Sequence, residues 1–291
     1  MNVTKDSNNQ PRILVLRPWA HTADRLKAGL TKGETVKAVI LAGGMGTRLR
    51  EETEFRPKPM VEIGGRPILW HIMKTLSTQG INEFVICLGY KGDYIKDFFM
   101  NYEARTHDIT VKLGDNEGTV QHSKASAENW TVTLANTGLT TMTGGRIKRI
   151  EEYVKGEKFL CTYGDGVANI DLKALTKFHD SHGKTASVTA VRPTNRFGAM
   201  QIDENNTVTE FAEKPRAEKW VNGGYFIFEP GIFKYLDSEC VLEKEPLEKL
   251  ASNGELKSYK HEGFWQPMDT YRESQELNEL WDSNKAPWKI W

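Results

Sequence analysis

A short apolar run, Ala38–Leu41, leads directly into Gly43-Gly44-Met45-Gly46-Thr47-Arg48. This junction constrains the fold more than any other stretch of the chain. An apolar run without alternation suits a strand buried on both faces, as in a parallel sheet. Gly43, Gly44 and Gly46 let the main chain pass close to a ligand and aim successive N–H groups at one place. Thr47 adds a hydroxyl, and Arg48 adds a planar fork suited to phosphate oxygens. Ten residues past Arg48, Lys58 stands between Pro57 and Pro59. The prolines restrict its backbone, so its position is set in advance. Lys58 is expected to be a solvent-facing loop lysine. The pattern is neither a Walker A loop, because no Gly-Lys-Ser/Thr follows, nor a G-x-G-x-x-G fingerprint. Its plainer alternative is a glycine-rich turn flanked by two solvated cations.

The rhythm that follows extends the argument. Pro67–Gln79 is patterned as an amphipathic helix closed by Gly80, Phe84–Leu88 as a strand, and Lys91–Tyr102 as a second helix. Phe159–Tyr163, Leu172–His182 and Thr185–Arg192 repeat the alternation. This predicts an α/β, Rossmann-like fold with a mostly parallel sheet flanked by helices. Ligands of such sheets sit beyond the carboxyl ends of the strands, where the glycine turn falls. Asp108–Leu113 and Trp130–Leu134 alternate apolar and polar residues, which predicts an antiparallel ribbon inserted at about residues 103–136. Residues 1–35 read as an extension of unknown role, with a short strand at Ile13–Leu16 and a short helix at Thr22–Leu30. The main domain is expected over residues 36–291, with a helical segment at about 270–291.

Lys and Arg number 39 and Asp and Glu number 39, so the formal net charge is zero. No whole-chain basic field draws this protein to nucleic acid, and anionic ligands must be met by local clusters. No apolar run approaches the ~18 residues of a membrane span. Three dispersed cysteines and the lack of a signal-like apolar segment lead to the expectation of a cytoplasmic protein.

Four further places offer ligand chemistry. Thr140, Thr141, Thr143, Gly144, Gly145 and Arg146 bring hydroxyls, amides and a cation together, either as a second wall of a nucleotide site or as a strand-to-helix connection capped by Thr143. Asp165 lies between two glycines at the end of an apolar strand, where it is either a turn residue or a ligand for a hard cation. Glu213-Lys214-Pro215 and Asn222-Gly223-Gly224 offer an acid, an amine and an amide to a sugar phosphate, although Glu213 and Lys214 also fit a surface ion pair. Asp269 precedes Thr270, and Thr270 with Glu273 matches a capping box. If Thr270 caps the helix, Asp269 is left to turn towards a metal.

L-A-G-G-x-G-T-R-L followed by P-K-P resembles the signature of the sugar nucleotidyltransferases, which join a nucleoside triphosphate to a sugar 1-phosphate. RPKPMVEIGGRPILWHIM, GYKG, TMTGGR, TYGDGVA, NGGYF and GFWQPMDT narrow the likeness. Together these words resemble the glucose-1-phosphate cytidylyltransferases, from about Val36 to the C-terminus. The resemblance implies CTP and glucose 1-phosphate as substrates, Mg²⁺ as cofactor and a homo-oligomer, a hexamer in that family. Its product would feed dideoxysugar synthesis for bacterial surface polysaccharides. By matching position it assigns Leu41, Ala42, Gly43, Gly44, Met45, Gly46, Thr47, Arg48, Lys58, Thr141, Arg146 and Asp165 to CTP. It assigns Asp165 and Asp269 to Mg²⁺, and Glu213, Lys214, Asn222 and Gly223 to the glucose phosphate. Lys58, Arg48 and Asp165 become the catalytic candidates. Arg56 stands where the family's P-K-P is preceded by lysine, which preserves the charge. A sister enzyme using UTP, dTTP or GTP, and a non-catalytic regulatory subunit, are the alternatives.

Overall fold

Seven strands form the central sheet of the computed structural model, which describes residues 36–111, 119–121, 128–154, 156–194, 197–213 and 215–291. In chain order the strands are β1 (Lys37–Ala42), β2 (Glu83–Leu88), β3 (Thr131–Asn136), β4 (Phe159–Tyr163), β5 (Ala186–Val191), β6 (Val221–Phe228) and β7 (Leu256–Lys260). Their order across the sheet is β7-β5-β6-β4-β1-β2-β3. β6 runs against both its neighbours. The other pairings are parallel. The mostly parallel α/β sheet expected from the sequence is therefore present. The extension 1–35, with its expected strand and helix, lies outside the described residues, as does Lys214.

Burial explains why β1 reads as an unbroken apolar run. Ala38, Ile40 and Ala42 enter one core layer, whereas Val39 and Leu41 enter the other. Both faces of the strand are therefore covered, as its composition requires. On the first face lie α1 (Ile68–Thr78) and the C-terminal helix; on the second lies α3 (Thr143–Arg149). Between them in sequence, α2 (Gly92–Met100) follows β2. Asp171 caps α4 (Leu172–His182) by accepting a hydrogen bond from the Ala174 amide at 2.9 Å. α5 (Glu245–Ser252) and α6 (Tyr271–Asp282) complete the longer helices.

The ribbon is smaller than the alternation suggests. Ile109–Val111 does pair antiparallel, but with Thr119–Gln121. The second alternating segment is β3, the edge of the main sheet, in parallel register with β2. Its Val132 and Leu134 pack on the first core layer while the other face carries Thr131, Thr133 and the small, buried Ala135, an alternation that sequence alone does not separate from a ribbon. Thr143 is the first residue of α3 and does not cap it.

Candidate active site

β1 has β2 on one side and β4 on the other, so the chain reverses its progress across the sheet at this strand. Crevices form beyond the carboxyl ends of strands at such a point. The Gly164 amide donates to the Leu41 carbonyl at 3.0 Å, which joins the ends of β1 and β4. Asp165 is thereby set beside the glycine turn. Within that turn, Gly46 has φ +63, and a Cβ there would lie 3.1 Å from Lys58 Cβ and 2.8 Å from Thr53 Cγ2. Glycine at this position lets the turn fold back against Lys58. Gly44 faces open space, where a ligand can approach.

Lys58 is the first residue of a single 3-10 turn that follows Pro57. Contrary to the sequence expectation it is not solvent-facing, being 8% exposed. Its Nζ donates to Asp165 Oδ2 at 2.6 Å and to Asp269 Oδ1 at 2.5 Å. Burial pulls the ammonium pKa down, but Asp165 and then Asp269 more than offset it, so the pKa stands above that of an ordinary lysine. Asp269 Oδ2 accepts a second charged bond, 2.8 Å from Arg48 Nη1, whose side chain is largely exposed.

The two aspartates converge for a reason visible in the backbone. Gly166–Ala168 pairs antiparallel with Trp265–Pro267, and the Met268 amide donates to the Asp165 carbonyl at 2.8 Å. This two-stranded ribbon sets positions 165 and 269 side by side. Thr270 then caps α6 in a full capping box with Glu273, as its spacing predicts. Glu273 also holds the Asp269 amide at 2.8 Å, so the backbone at Asp269 is fixed and its carboxylate faces the cleft.

A cleft of about 370 Å³ is lined by Leu41–Gly44, Gly46–Arg48, Lys58, Thr141, Arg146 and Asp165. Met45 points elsewhere and is 52% exposed. Arg146 lines the wall in an unexpected way. Its guanidinium donates to the carbonyls of Gly43, Leu88, Gly138 and Leu139 and to Thr137 Oγ1. A Cβ on Gly43 would sit 2.2 Å from that guanidinium. Gly43 therefore makes room for Arg146, which clamps the turn after β1 to the segment after β3. The donors expected to serve nucleotide are engaged by the protein itself.

A second cleft of about 300 Å³ adjoins the first and shares Arg48, Tyr163 and Asp165 with it. Asn222, Gly223, Trp265 and Asp269 line it. Asn222 Oδ1 accepts from the Gly224 amide at 2.8 Å, and its Nδ2 donates to the Tyr163 hydroxyl at 3.3 Å. Glu213 is not brought here. It follows the strand Val208–Ala212, whose ladder partner is Ala199–Ile202 and not the main sheet, and it lies exposed beside Gly198.

Sequence reasoning passed over Tyr163, Trp265 and Val241. Trp265 Nε1 donates to the Gly223 carbonyl at 2.7 Å, and Val241 closes the first cleft. Gly144 and Gly145 carried the one usable signal. Added Cβ atoms there would meet Cys240 Sγ at 2.4 Å and the Ser238 carbonyl at 2.3 Å. The glycine pair therefore seats the loop that carries Val241.

Comparison with known proteins agrees with this arrangement. Residues 37–270 match the family model described as nucleotidyl transferase. Glucose-1-phosphate cytidylyltransferase of Salmonella typhi is 52% identical over 259 residues, covering 88% of this chain and 100% of that protein. A probable glucose-1-phosphate cytidylyltransferase of Bacillus subtilis is 43% identical over 258 residues, again covering 88% and 100%. The crystal structure of HddC from Yersinia pseudotuberculosis superimposes with a TM-score of 0.60 at 26% identity, covering 84% of this chain and 99% of that one. With its signature loop at the switch point and this identity over whole relatives, the chain belongs to the nucleotidyl transferase family and, within it, to the glucose-1-phosphate cytidylyltransferases.

Proposed function

We propose that this chain transfers the cytidylyl group of CTP to α-D-glucose 1-phosphate, giving CDP-glucose and pyrophosphate. The observation that carries the reading is the meeting of Lys58, Asp165 and Asp269 where the two clefts join. The larger cleft takes the nucleotide against the glycine turn, and the smaller takes the sugar phosphate against Asn222 and Gly223. A phosphate oxygen of the sugar 1-phosphate is already ionised, so its attack on the α-phosphorus needs no general base. The new P–O bond forms as the bond to the β-phosphate breaks, and pyrophosphate leaves with the electron pair. Positioning and charge neutralisation then carry the catalysis.

In this scheme Lys58 turns its ammonium to the α-phosphate and neutralises charge on the equatorial oxygens. Arg48 and the amides around Gly44 and Gly46 hold the leaving phosphates. Two carboxylates that already converge on one cation are the oxygen set a hard dication takes. Asp165 and Asp269 would hold Mg²⁺, which when bound screens the phosphate charges of both reactants. Lys214, adjacent to Glu213, belongs to the same proposal as a sugar-phosphate ligand. Work in the cytosol as a homo-oligomer completes the reading. Among the described residues no helix is long and apolar enough to cross a membrane. Exposed Met200, Ile202 and Phe211 on one hairpin offer an apolar face to a second copy.

The test is pyrophosphate release from CTP, UTP, dTTP and GTP, each with glucose 1-phosphate and Mg²⁺. CTP should give the highest kcat/KM. Preference for another nucleotide would support a sister enzyme, and no turnover with any would support a non-catalytic subunit.

A further inference from the structure

Glu243 lies on the loop seated over Gly144 and Gly145, and it lines neither cleft. Its two carboxylate oxygens nevertheless face the walls of both. Thr143, on the wall of the larger cleft, donates from Oγ1 to Glu243 Oε2 at 2.6 Å. Tyr163, shared by both clefts, donates its hydroxyl to Glu243 Oε1. The string continues in both directions. Thr143 Oγ1 accepts from the Leu242 amide at 2.9 Å. The Tyr163 hydroxyl accepts from Asn222 Nδ2 at 3.3 Å, and Asn222 Oδ1 accepts from the Gly224 amide at 2.8 Å.

Every proton in this string points towards Glu243. A carboxylate can accept from both hydroxyls at once, whereas an amide presents a donor on one side. The Tyr163 ring is itself tightly held. A Cβ on Gly224 would lie 2.5 Å from it, and it meets the Phe226 ring edge-on at 6.1 Å. With the ring held, the hydroxyl's partner decides how Asn222 is presented to the smaller cleft. If Tyr163 Oη turned its proton to Asn222, the two groups would face each other as donors.

We infer that Glu243 is a positioning residue for sugar-phosphate binding: it accepts from Thr143 and Tyr163 together and so ties the nucleotide wall to the Asn222 side of the sugar cleft. The inference rests on the assignment of the two clefts under the proposed function. Nothing in the glycine-rich turn, the lysine or the aspartates requires Glu243, and its part is played through Tyr163.

The experiment is a two-substrate kinetic analysis of Glu243→Gln, Tyr163→Phe and the double variant, with CTP and glucose 1-phosphate both varied. Glu243→Gln keeps the shape but gives one hydroxyl a donor in place of an acceptor. Tyr163→Phe keeps the ring packing and removes the bond to Glu243 together with the one accepted from Asn222. Each single variant should raise the KM for glucose 1-phosphate by about tenfold, the worth of one hydrogen bond to a charged group, and change kcat by less than about threefold. The double variant should be no worse than the poorer single, because both remove one interaction. Thermal melting of each variant within a few degrees of the wild type confirms that the fold is retained. Multiplying effects in the double variant, or an unchanged KM for glucose 1-phosphate, would overturn the inference while an active wild type upheld the function. No turnover by the wild type would overturn both.

Discussion

Lys58 and His71 are both buried basic groups, at 8% and 0% exposure, and they meet opposite fates. Lys58 has two carboxylates within hydrogen-bonding distance and keeps its charge. His71 lies among Trp70, Trp281, Trp288 and Trp291, and among the described residues no ion pair forms at its ring. Its Nε2 donates to the Ile63 carbonyl at 2.8 Å, and its Nδ1 accepts from Trp288 Nε1 at 3.3 Å. That arrangement suits the neutral ring, and burial lowers its pKa to about 4. Burial penalises charge in both places. What differs is the partner: two carboxylates hold a cation in the cleft, while the aromatic cluster uses a polar ring to fasten Trp288.

The largest expected effect lies on the structural side of this contrast. Trp288 is fully buried, and its truncation to alanine should cost ~3–5 kcal/mol. The thermal midpoint should fall by about 10 °C, while the folded enzyme at 25 °C keeps its kcat/KM. A matching loss of kcat/KM in the folded fraction would show that the aromatic cluster and the cleft are not separate in function.

Lys58→Ala comes next and should reverse the pattern. Removing one preorganised charge from a cleft typically raises the barrier by ~3 kcal/mol, about a hundredfold in kcat. Its melting temperature should fall less than that of Trp288→Ala. Near-normal pyrophosphate release by this variant would end the catalytic role given to Lys58.

The pH dependence probes His71 itself. Its folded pKa of about 4 lies below an unfolded value of ~6.5, so the unfolded chain binds the extra proton between those limits. Stability linked to this ring is intact above pH ~6.5 and declines as pH falls towards 4, by about 3 kcal/mol in total. Urea midpoints at pH 7 and pH 4.5 should converge for His71→Gln relative to the wild type. Equal slopes in both proteins would remove His71 from the account. The smallest effect is expected for Thr270→Ala, which loses the cap of α6 at ~1 kcal/mol and loosens the backbone that presents Asp269. It should lower kcat less than Lys58→Ala does.

Local chemistry explains which of these features the sequence reveals. The apolar run of β1, the turn at Gly46 and the capping box at Thr270 are short-range patterns with one physical solution each, and the structure has all three. The pairing of Gly166–Ala168 with Trp265–Pro267 spans about a hundred residues and leaves no periodic trace, so the convergence of Asp165 and Asp269 had no local warrant. The sequence offers Gly43 as a close approach to a ligand and Gly144 and Gly145 as backbone amides for one. Gly43, Gly144 and Gly145 are openings for Arg146 and for the loop at Ser238–Cys240, because a missing Cβ signals close approach without naming what approaches.

The measurement closest to the central claim is a Mg²⁺ titration of pyrophosphate release by Asp165→Asn, Asp269→Asn and their double variant. One shared site predicts that each single change raises the Mg²⁺ requirement and lowers turnover by about a hundredfold, and that the pair together does no further harm. A wild-type Mg²⁺ response in either single variant, or losses that multiply in the double, would contradict it.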